Sequence, residues 1–593
     1  MLSLLQLKVT NFRSIREETF PFQPLSVLIG KNNSGKTNVL DSIVILLEGT
    51  SKDVTKEDFF NPNADFVIEG RFAGVRDYLH ILDDRHKPRI EERIDNEDCI
   101  TVRRIGHAVG YTLDKIEIRQ PASDVYDIPT GIDAALRQLL PESIPVRPLA
   151  DVADEVSGKT SSALTKILTQ IIDQIETQAQ PLIEKAYQEA NTLLNVVPDS
   201  ADPTKEVDNR LEALREIEAS ITCYLQETFQ ASRARLRMEM PTMKQILGNI
   251  EMLINDGTLW KPYYRQGHGL QRVLLLSLLR ALAVRLRESP ESKIRHPFTL
   301  LIEEPELFLH PVAQEQMRDA LEAISASNQV IYATHSPLLV SANCLPGLMR
   351  VHKVVKPPQS IEETSMVSTP ITRDTLASDK DILTILNLQR SAQLFFAGTI
   401  ILVEGEGDYH LHRALIEKLC GIKLELEDIA LVEIGGKDRL ARIKNLLRHF
   451  CPCVVAMTDV DYLWKGAGVE LGSDPDLSQL VERCQSKAEK ELSSRLSDIT
   501  DSEERQKKTK KIMKKCCYDT SNCDVRDTVC GKLKSKGTFV LSRGDIESYI
   551  GLGEASKGKY LNAAKEIASG ERSVTFEPEL RNLYSDLMNQ QSS

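Results

Sequence analysis

The sequence predicts an α/β protein of several domains, and three observations support this prediction. An apolar strand, LSVLIG at 25–30, leads directly into a glycine-rich loop and a helix, as in a phosphate-binding loop. Further short apolar strands, FTLLI at 298–302 and GTIILVEG at 398–405, alternate with helical patterns. The chain has 593 residues, whereas a single hydrophobic core stops growing at about 250–300 residues.

Composition excludes several classes of protein. With 41% hydrophobic and 27% charged residues, the chain resembles ordinary globular proteins rather than collagen-like or wholly disordered ones. Its longest apolar run, around 273–284, is interrupted by Arg280 and is shorter than the roughly 20 residues that cross a bilayer. Because the first residues lack the basic region and cleavage site of a signal peptide, we expect a cytoplasmic protein without a membrane partner.

The charge pattern restricts how nucleic acid could be bound. A formal net charge of −12 predicts no global attraction to DNA, so any contact must use local basic patches. The basic run Arg505–Lys515 holds seven basic residues and no acidic ones. It is either a solvated helix face or a surface that follows a nucleic acid.

Eleven cysteines, an odd number, are expected to be reduced thiols rather than a disulfide framework. Four of them cluster at the end of the basic run without a CxxC pair or a nearby histidine, which argues against zinc. These four are Cys516, Cys517, Cys523 and Cys530.

The glycine-rich loop predicts an ATP site. Residues 30–37, GKNNSGKT, match the GxxxxGK[ST] pattern completely. The two glycines let backbone N–H groups turn toward phosphates, Lys36 is expected to meet the β- and γ-phosphates, and the Thr37 hydroxyl to hold Mg²⁺. The predicted ATP-binding residues here are Gly30, Asn32, Asn33, Ser34, Gly35, Lys36, Thr37 and Asn38.

An acidic pair about 265 residues further on completes this prediction. The strand FTLLI ends in Glu303 and Glu304, where a P-loop ATPase places an acid that supports Mg²⁺ and then a catalytic base. Glu303 is therefore predicted to serve metal and nucleotide, and Glu304 to polarise the attacking water. His335, in ATHS at the end of the next strand, is a candidate sensor of the γ-phosphate.

The C-terminal part carries a second constellation, in which three apolar strands each lead to carboxylates. Asp459 and Asp461 are expected to share one side of a strand, because residues i and i+2 point the same way. The C-terminal edge of an open α/β sheet binds ligands, and hard carboxylate oxygens suit Mg²⁺, or alternatively Mn²⁺ or Ca²⁺. Two such ions would support phosphodiester displacement. The predicted metal ligands are Glu404, Asp408, Asp459, Asp461, Asp545 and Glu547.

The N-terminal motifs resemble those of ABC-type ATPases of the RecF/SMC kind. NFRS at 11–14, the glycine-rich loop, EEPE at 303–306 and ATHS at 333–336 occur there in this order. The resemblance implies that Arg13 contacts ATP. The segment 266–272, QGHGLQR, is similar to a degenerate ABC signature, which in that family closes over the nucleotide of another subunit. It implies ATP contacts for Gly267 and Gly269, and a dimer.

The C-terminal motifs, VEG-x-x-D at 403–408 and DxD at 459–461, resemble a Toprim domain. No region resembles the catalytic tyrosine module of a topoisomerase, so water is the expected nucleophile. A cation should stabilise the transition state, and Lys557 is favoured over Lys559 and Lys565. The predicted catalytic residues are Glu304 for ATP hydrolysis and, for strand cleavage, Glu404, Asp459, Asp461 and Lys557.

An ABC-type ATPase joined directly to a Toprim-type, Rossmann-like α/β domain resembles the OLD (overcoming lysogenisation defect) family of nucleases over essentially the whole chain. The expected domains are the ATPase halves at 1–155 and 239–385, a helical insertion at 156–238 that forms a dimerisation arm, and a Toprim nuclease domain at 386–593.

The resemblance implies an ATP-hydrolysing, metal-dependent DNA endonuclease of antiphage defence, in which the ATPase gates cleavage. It further implies a homodimer or tetramer, with a UvrD-like helicase, as in Gabija, or a retron reverse transcriptase and its DNA as alternative partners. A competing hypothesis is a RecF/SMC-like ATP-dependent DNA clamp of DNA repair that does not cut. Clustered carboxylates oppose it, because a purely DNA-binding surface gains nothing from negative charge facing phosphates. A Toprim primase ranks last, since no primase-type zinc region is present.

Overall fold

The computed structural model divides the chain into two compact units. The first comprises residues 1–143, 295–306 and 328–593, and the second comprises 144–294 and 307–327. The residues that the structure describes are 1–121, 123, 125–127, 133–147, 185–198, 205–226, 232–238, 252–255, 257, 259–262, 265–288, 297–355, 363–367, 394, 396–424, 428–448, 451, 453–495, 502–541, 544–552 and 557–589.

Strands occur along the whole described chain. In chain order they are β1 (Ser3–Phe12), β2 (Ile15–Pro21), β3 (Leu25–Ile29), β4 (Phe66–Ala73), β5 (Cys99–His107), β6 (Thr112–Leu113), β7 (Glu117–Arg119), β8 (Tyr126–Asp127), β9 (Glu142–Val146), β10 (Val197–Pro198), β11 (Glu206–Val207), β12 (Leu253–Asn255), β13 (Trp260–Pro262), β14 (Phe298–Glu303), β15 (Gln329–Ala333), β16 (Leu348–Val355), β17 (Glu363–Val367), β18 (Thr399–Val403), β19 (Ile429–Glu433), β20 (Cys453–Thr458) and β21 (Thr538–Val540).

Helices alternate with these strands and dominate the C-terminal part. The described helices are α1 (Lys36–Glu48), α2 (Lys87–Glu91), α3 (Asp133–Leu139), α4 (185–194), α5 (Glu212–Gln226), α6 (His268–Glu288), α7 (Pro311–Ser325), α8 (Glu406–Cys420), α9 (Leu440–Leu447), α10 (Tyr462–Lys465), α11 (Ala467–Leu471), α12 (Pro475–Arg495), α13 (Ser502–Cys517), α14 (Cys523–Ser535), α15 (Ile546–Tyr549), α16 (Lys557–Ser569) and α17 (Glu577–Asn589).

The chain begins with a seven-stranded sheet in the order β2-β1-β4-β5-β7-β8, with β6 paired to β5. Its neighbouring strands are antiparallel, and burial alternates residue by residue along β4 and β5. Such alternation buries one face of the sheet and leaves the other more exposed. On the buried face the rings of Phe12 and Phe66 meet edge to face with centroids 5.2 Å apart.

A second sheet, in the order β17-β16-β3-β15-β14-β9, carries the nucleotide motifs. Its strands β16, β3, β15 and β14 run parallel. Every residue of β3 and of β15 is buried, as expected for parallel strands covered on both faces. The glycine-rich loop, ATHS and the acidic pair therefore lie at the C-terminal ends of three consecutive parallel strands, β3, β15 and β14.

The C-terminal sheet, in the order β19-β18-β20-β21, is entirely parallel. The chain passes from β18 to β19 on one side and then to β20 on the other, so the winding reverses between β18 and β20. In open α/β sheets, ligands bind in the crevice at such a reversal, beyond the carboxyl ends of the strands. The fold thus marks the ends of β18 and β20 as the binding edge.

The second unit is mainly helical where it is described. It contains α4, α5, α6 and α7, together with the short antiparallel pairs β10–β11 and β12–β13. Of the insertion predicted at 156–238, the described part includes α4 and α5, whereas residues 156–184 lie outside the described residues. The predicted role of this insertion as a dimerisation arm remains a prediction.

All eleven cysteines are free thiols, in agreement with the prediction from their number and context. Cys484 and Cys517 lie side by side with their sulfurs 3.5 Å apart. Within the described ranges, no cysteine belongs to a group of three or more side chains arranged to hold a metal ion. Over the same ranges, none of the helices combines the length and apolarity required of a membrane span.

Candidate functional site

The phosphate-binding loop leaves β3 at Gly30 and enters α1 at Gly35. Gly30 has a φ of +150°, and a Cβ at this position would lie 2.1 Å from the backbone oxygen of Val351. Only glycine fits, since any side chain would collide with the neighbouring strand β16. Gly35, with a φ of +109°, starts the helix that points its N-terminus at the loop.

Lys36 lies folded over this loop. Its ammonium group donates to the backbone oxygens of Gly30 and Lys31, both at 2.9 Å, and contacts Nε2 of His335, also at 2.9 Å. Burial lowers the pKa of Lys36 to about 8, although Glu304 and other nearby acids oppose the shift. A phosphate at this place would supply the negative charge that the buried ammonium group lacks.

The acidic pair lies directly opposite the loop. Glu303, at the end of β14, accepts a hydrogen bond from the Thr37 hydroxyl. Glu304 has a φ of +46°, a left-handed conformation that non-glycine residues seldom adopt and that is concentrated at functional sites. Its carboxylate lies 3.9 Å from Nε2 of His335, whose pKa is lowered by burial and by Lys36. The predicted metal-supporting acid Glu303, the predicted base Glu304 and the predicted sensor His335 thus line one cavity.

Glu306 also belongs to this arrangement, although its position in EEPE did not by itself identify a role for it. Its carboxylate accepts hydrogen bonds from the backbone N–H of His335 at 2.6 Å and from the Thr334 hydroxyl at 2.8 Å. It therefore fixes the backbone that carries His335. The cavity is lined by Asn32, Asn33, Ser34, Gly35, Lys36, Thr37, Asn38, Glu303, Glu304 and His335.

Arg13 lies beside this cavity but is engaged with acids of its own unit. It donates to Asp58 at 2.8 Å and contacts Asp41 on α1, while its reach to Asn38 is 3.5 Å. Asn38 in turn donates to the Ser14 hydroxyl at 2.6 Å. In this structure Arg13 ties the NFRS turn to α1, and the ATP contact implied for it stays a prediction.

Gly267 and Gly269, the glycines of the signature-like segment, lie in the second unit. Gly269 is in the first turn of α6 and Gly267 immediately precedes that helix. A Cβ at either position would meet no described atom within 4 Å. The helix start is fixed instead by His268, whose ring stacks on Phe308 at a centroid distance of 5.8 Å. Their predicted ATP contacts are untested.

The second site forms at the binding edge of the C-terminal sheet. Glu404 follows β18, and Asp459 and Asp461 follow β20, so the three acids flank the point where the winding reverses. Each offers a carboxylate oxygen within 4.8 Å of the others. Glu404 is held by the Thr458 hydroxyl at 2.5 Å and by the backbone N–H of Asp459 at 3.3 Å.

Asp459 and Asp461 converge for a different reason from the one predicted. Sequence reasoning placed both on a strand, but β20 ends at Thr458 and Asp461 has helical backbone angles, with φ −72° and ψ −7°. The strand therefore turns directly into α10, and this turn brings the second carboxylate back toward the first. The assumption of an alternating strand was wrong at this position.

Three further acids complete the cluster. Burial, together with Glu404 and Glu547, raises the pKa of Asp408 to about 7. Burial also raises the pKa of Asp459 well above its usual range, with contributions from Glu404, Asp408 and Asp545. Asp408, Asp545 and Glu547 therefore act electrostatically on the same cluster as Glu404 and Asp459.

Two lysines that sequence reasoning did not assign to this site lie among the carboxylates. Lys437 is 3.1 Å from Glu404 and also contacts Asp461, and its side chain is 13% exposed. Lys514, from the basic helix α13, contacts Asp545. Lys437 follows β19 within a glycine turn, so its place at the end of a parallel strand was a usable signal. No local pattern predicts the reach of Lys514 across 31 residues.

The predicted lysine Lys557 begins α16, and its side chain lies outside the described residues. Lys559 and Lys565, on the same helix, are exposed. The described contact of α16 with the cluster is made by Tyr560, whose hydroxyl donates to Glu547 at 2.9 Å. The assignment of Lys557 as the catalytic lysine remains a prediction.

The donor set fits a divalent cation. All six side chains offer hard oxygen ligands, which Mg²⁺, Mn²⁺ and Ca²⁺ prefer. Two lysine ammonium groups already contact the cluster, yet the pKa values of two of its acids are still raised. The cluster therefore keeps an excess of negative charge. Bound cations would supply that charge.

Cation binding should therefore release protons. The pKa of Asp408 is raised from 3.8 to about 7, so this group stabilises the metal-free fold below its unfolded pKa and that contribution is lost as pH rises through about 7. We expect the metal-free melting temperature to fall between about pH 5 and about pH 8, and Mn²⁺ to bind more tightly at the higher pH. Calorimetry in buffers of different ionisation enthalpy measures the released protons. Asp408→Asn should weaken the pH dependence of melting; an unchanged dependence would contradict its assignment to Asp408.

Comparisons with known proteins agree with this two-site architecture. A model of the AAA ATPase domain matches residues 3–124 and 150–340, and a model of the Toprim domain of overcoming lysogenization defect-like proteins matches 395–461. The chain belongs to the OLD nuclease family. The α/β fold, in which a P-loop ATPase precedes a Toprim domain, is confirmed with it.

Curated relatives extend over nearly all of this OLD family chain. It is 26% identical to the Old nuclease of Escherichia phage P2 over 572 residues, which is 93% of each chain. It is 24% identical to the OLD nuclease of Thermus scotoductus over 513 residues, covering 83% of this chain and 88% of the relative. Among solved structures, an SMC head bound to the C-winged helix domain of ScpA covers 61% of this chain at 15% identity and a TM-score of 0.37.

Proposed function

We propose that this protein is a divalent-metal-dependent DNA endonuclease that binds and hydrolyses ATP, and that its ATPase site gates cleavage. The observation that carries the proposal is the convergence of Glu404, Asp459 and Asp461 at the winding reversal of the Toprim sheet, within the electrostatic reach of three more acids, Asp408, Asp545 and Glu547. Burial, and after it the charges of Glu404 and Glu547, raises the pKa of Asp408 to about 7. Such a cluster is useful when cations and a phosphodiester occupy it.

In the proposed cleavage reaction, the carboxylates would hold divalent cations, which would supply activation of water and stabilisation of charge on the phosphate. Thr458 and the backbone of Asp459 hold Glu404 in place, and Tyr560 holds Glu547. Lys437 lies between Glu404 and Asp461, forms ion pairs with both and orients them. Because no region of the sequence resembles a tyrosine module, water is the proposed nucleophile: it attacks phosphorus, and the 3′- or 5′-oxygen of the next nucleotide leaves.

In the proposed ATP site, the loop amides and Lys36 bind the phosphates while Thr37 and Glu303 orient Mg²⁺. Glu304 takes the proton of the attacking water. His335, between Lys36 and Glu304, is placed to respond to the γ-phosphate, since it touches the first at 2.9 Å and the second at 3.9 Å.

Contacts inside the first unit offer a route between the two sites. Lys31 of the phosphate-binding loop forms a 2.7 Å ion pair with Asp428. The backbone oxygen of Asp428 accepts hydrogen bonds from Gly398 and Thr399, where β18 begins, and β18 ends next to Glu404. Phe396, just before that strand, stacks on His335 at a ring distance of 6.3 Å. A nucleotide that moves Lys31 or His335 therefore acts on the strand that presents Glu404.

Breaking the Lys31–Asp428 pair should uncouple the sites. Both side chains are partly exposed, so Lys31→Ala and Asp428→Ala should each cost under about 1 kcal/mol of stability. We expect ATP hydrolysis within about threefold of the parent, but a smaller effect of ATP on cleavage, with the double variant no worse than either single one. Lys8→Ala, which breaks an exposed pair with Glu17, is the control. An ATP response equal to the parent's in all variants would exclude this route.

The direct test is cleavage of supercoiled plasmid by the purified chain with Mg²⁺ or Mn²⁺, with and without ATP. Nicked or linear product that requires the cation supports the nuclease. The competing DNA clamp predicts ATP-dependent retention of DNA with the plasmid left intact. Retention without scission under all these conditions would favour the clamp.

The family supports two wider parts of the proposal. Relatives named as nucleases match along almost the whole chain, so we propose action on DNA in antiphage defence, by a homodimer or tetramer. A UvrD-like helicase or a retron reverse transcriptase with its DNA are the partners to test. Sedimentation of the purified chain with and without ATP measures the assembly.

A further inference from the structure

The basic helix α13 is held in a fixed register against its neighbour α12. Met513, Cys516 and Cys517 are buried, and Cys517 meets Cys484 of α12 with the sulfurs 3.5 Å apart. This apolar seam determines which lysines face outward. Lys510 and Lys511 are exposed, whereas the side chain of Lys514, one turn later, is only 26% exposed.

Lys514 faces the carboxylate cluster from its rim. It contacts Asp545, and although burial alone lowers the pKa of Lys514, the charges of Asp545, Asp461 and Asp459 together raise it. Lys437 already neutralises Glu404 and Asp461 from the deeper side. The cluster therefore has an inner ammonium group that fixes its acids and an outer one that is closer to solvent.

Tyr518 lies immediately after the C-terminal end of α13, four residues after Lys514. Its hydroxyl is shielded from solvent and has no hydrogen-bond partner in the described part of the chain. Burial raises the pKa of Tyr518, and Asp545 and Asp459 raise it further, so the hydroxyl keeps its proton. A buried hydroxyl without a partner costs free energy unless a ligand accepts its hydrogen bond.

From this placement we propose that Lys514 and Tyr518 bind the phosphate of the DNA strand that enters the Toprim site, and that Lys510 and Lys511 guide the strand toward them. The inference rests on the proposed nuclease function, and it assigns DNA binding to the basic run Arg505–Lys515. A phosphodiester brings negative charge to a cluster of six acids. It needs a positive donor at the rim, closer to solvent than Lys437, together with a neutral donor beside it.

The test compares Lys514→Gln with Lys515→Gln in the full-length protein. Lys515 is one residue further on the same helix, exposed, and so turned about 100° away. Binding of a duplex is titrated at several salt concentrations by fluorescence anisotropy, with Ca²⁺ in place of Mg²⁺ and the DNA checked for scission. Lys514→Gln should weaken binding about tenfold and lower the salt slope by about 0.9, the value for one lost phosphate contact. Lys515→Gln should leave the slope unchanged.

Two further variants separate phosphate binding from a structural effect. Lys514→Arg should restore the salt slope, and Tyr518→Phe should reduce cleavage while the slope stays at the parent value, because the hydroxyl carries no charge. Mn²⁺ binding by calorimetry should be no weaker in Lys514→Gln. An unchanged DNA affinity and slope in Lys514→Gln, or weaker Mn²⁺ binding with DNA binding intact, would show that Lys514 only holds Asp545 and would overturn the inference.

The same measurements distinguish the inference from the function on which it rests. If the parent cuts no plasmid but Lys514→Gln still loses one unit of salt slope, the nuclease proposal fails while the phosphate contact stands. If the parent cuts and the variant binds and cuts equally well, the phosphate contact fails and the nuclease stands.

Discussion

Asp459→Asn is expected to abolish metal-dependent DNA cleavage, by at least about a hundredfold. Asp459 lies where β20 ends, between Glu404 and Asp545, and its raised pKa reflects the crowding of negative charge there. Asparagine keeps the shape but removes the charge that a cation needs. Plasmid cleavage with Mg²⁺ or Mn²⁺ measures the loss.

The same substitution should stabilise the metal-free protein. A carboxylate with a raised pKa is ionised in the fold only at a cost, so its removal relieves repulsion at neutral pH. We expect a higher melting temperature without metal and a smaller increase on adding Mn²⁺. Glu417→Gln, which removes an acid from α8 away from the cluster, is the matched control. Normal cleavage by Asp459→Asn would show that the cluster is not the nuclease centre.

Lys36→Ala is expected to eliminate ATP hydrolysis and most ATP binding. The loop holds the ammonium group in a partly desolvated place between two backbone oxygens and His335, where it is poised to meet phosphate. Binding of a fluorescent ATP analogue and release of phosphate should both fall by at least about a hundredfold. Binding that equals the parent's would show that the nucleotide does not use this loop.

Glu304→Gln separates binding from hydrolysis. It removes the proposed base but keeps the loop, so ATP should still bind while phosphate release falls. Comparing its plasmid cleavage with that of Lys36→Ala shows whether bound ATP or its hydrolysis controls the nuclease site. If bound ATP is the signal, DNA cleavage by Glu304→Gln with ATP should match that of the ATP-bound parent. DNA cleavage by Lys36→Ala should then be the same with and without ATP. If both variants respond to ATP as the parent does, the gate does not pass through this site.

The family and the fold class could be predicted from the sequence because their signals are local. The motif GKNNSGKT needs only its own glycines to form a phosphate-binding turn. Apolar strands that end in acidic residues predict a parallel sheet with a polar edge. The comparisons confirmed both the ATPase and the Toprim parts. A local expectation failed where β20 ended earlier than its apolar pattern suggested, so that Asp461 reaches the cluster through a turn.

Other features depended on which distant segments meet. The short run 505–515 predicted a basic helix face, but whether that face serves solvent or the Toprim site depended on packing against α12 and on the contact of Lys514 with Asp545. The ion pair of Lys31 with Asp428 and the stacking of Phe396 on His335 likewise join residues far apart in the chain.

Local residue patterns were enough to predict the chemistry that each segment could offer: a phosphate-binding loop, a pair of ATPase acids and six metal-ligand candidates. The tertiary structure decided how these groups are combined, because side chains from separate strands approach only when the strand order reverses between β18 and β20 and the helices pack over that edge. Short-range backbone preferences specify the motifs, whereas long-range packing fixes the distances between them.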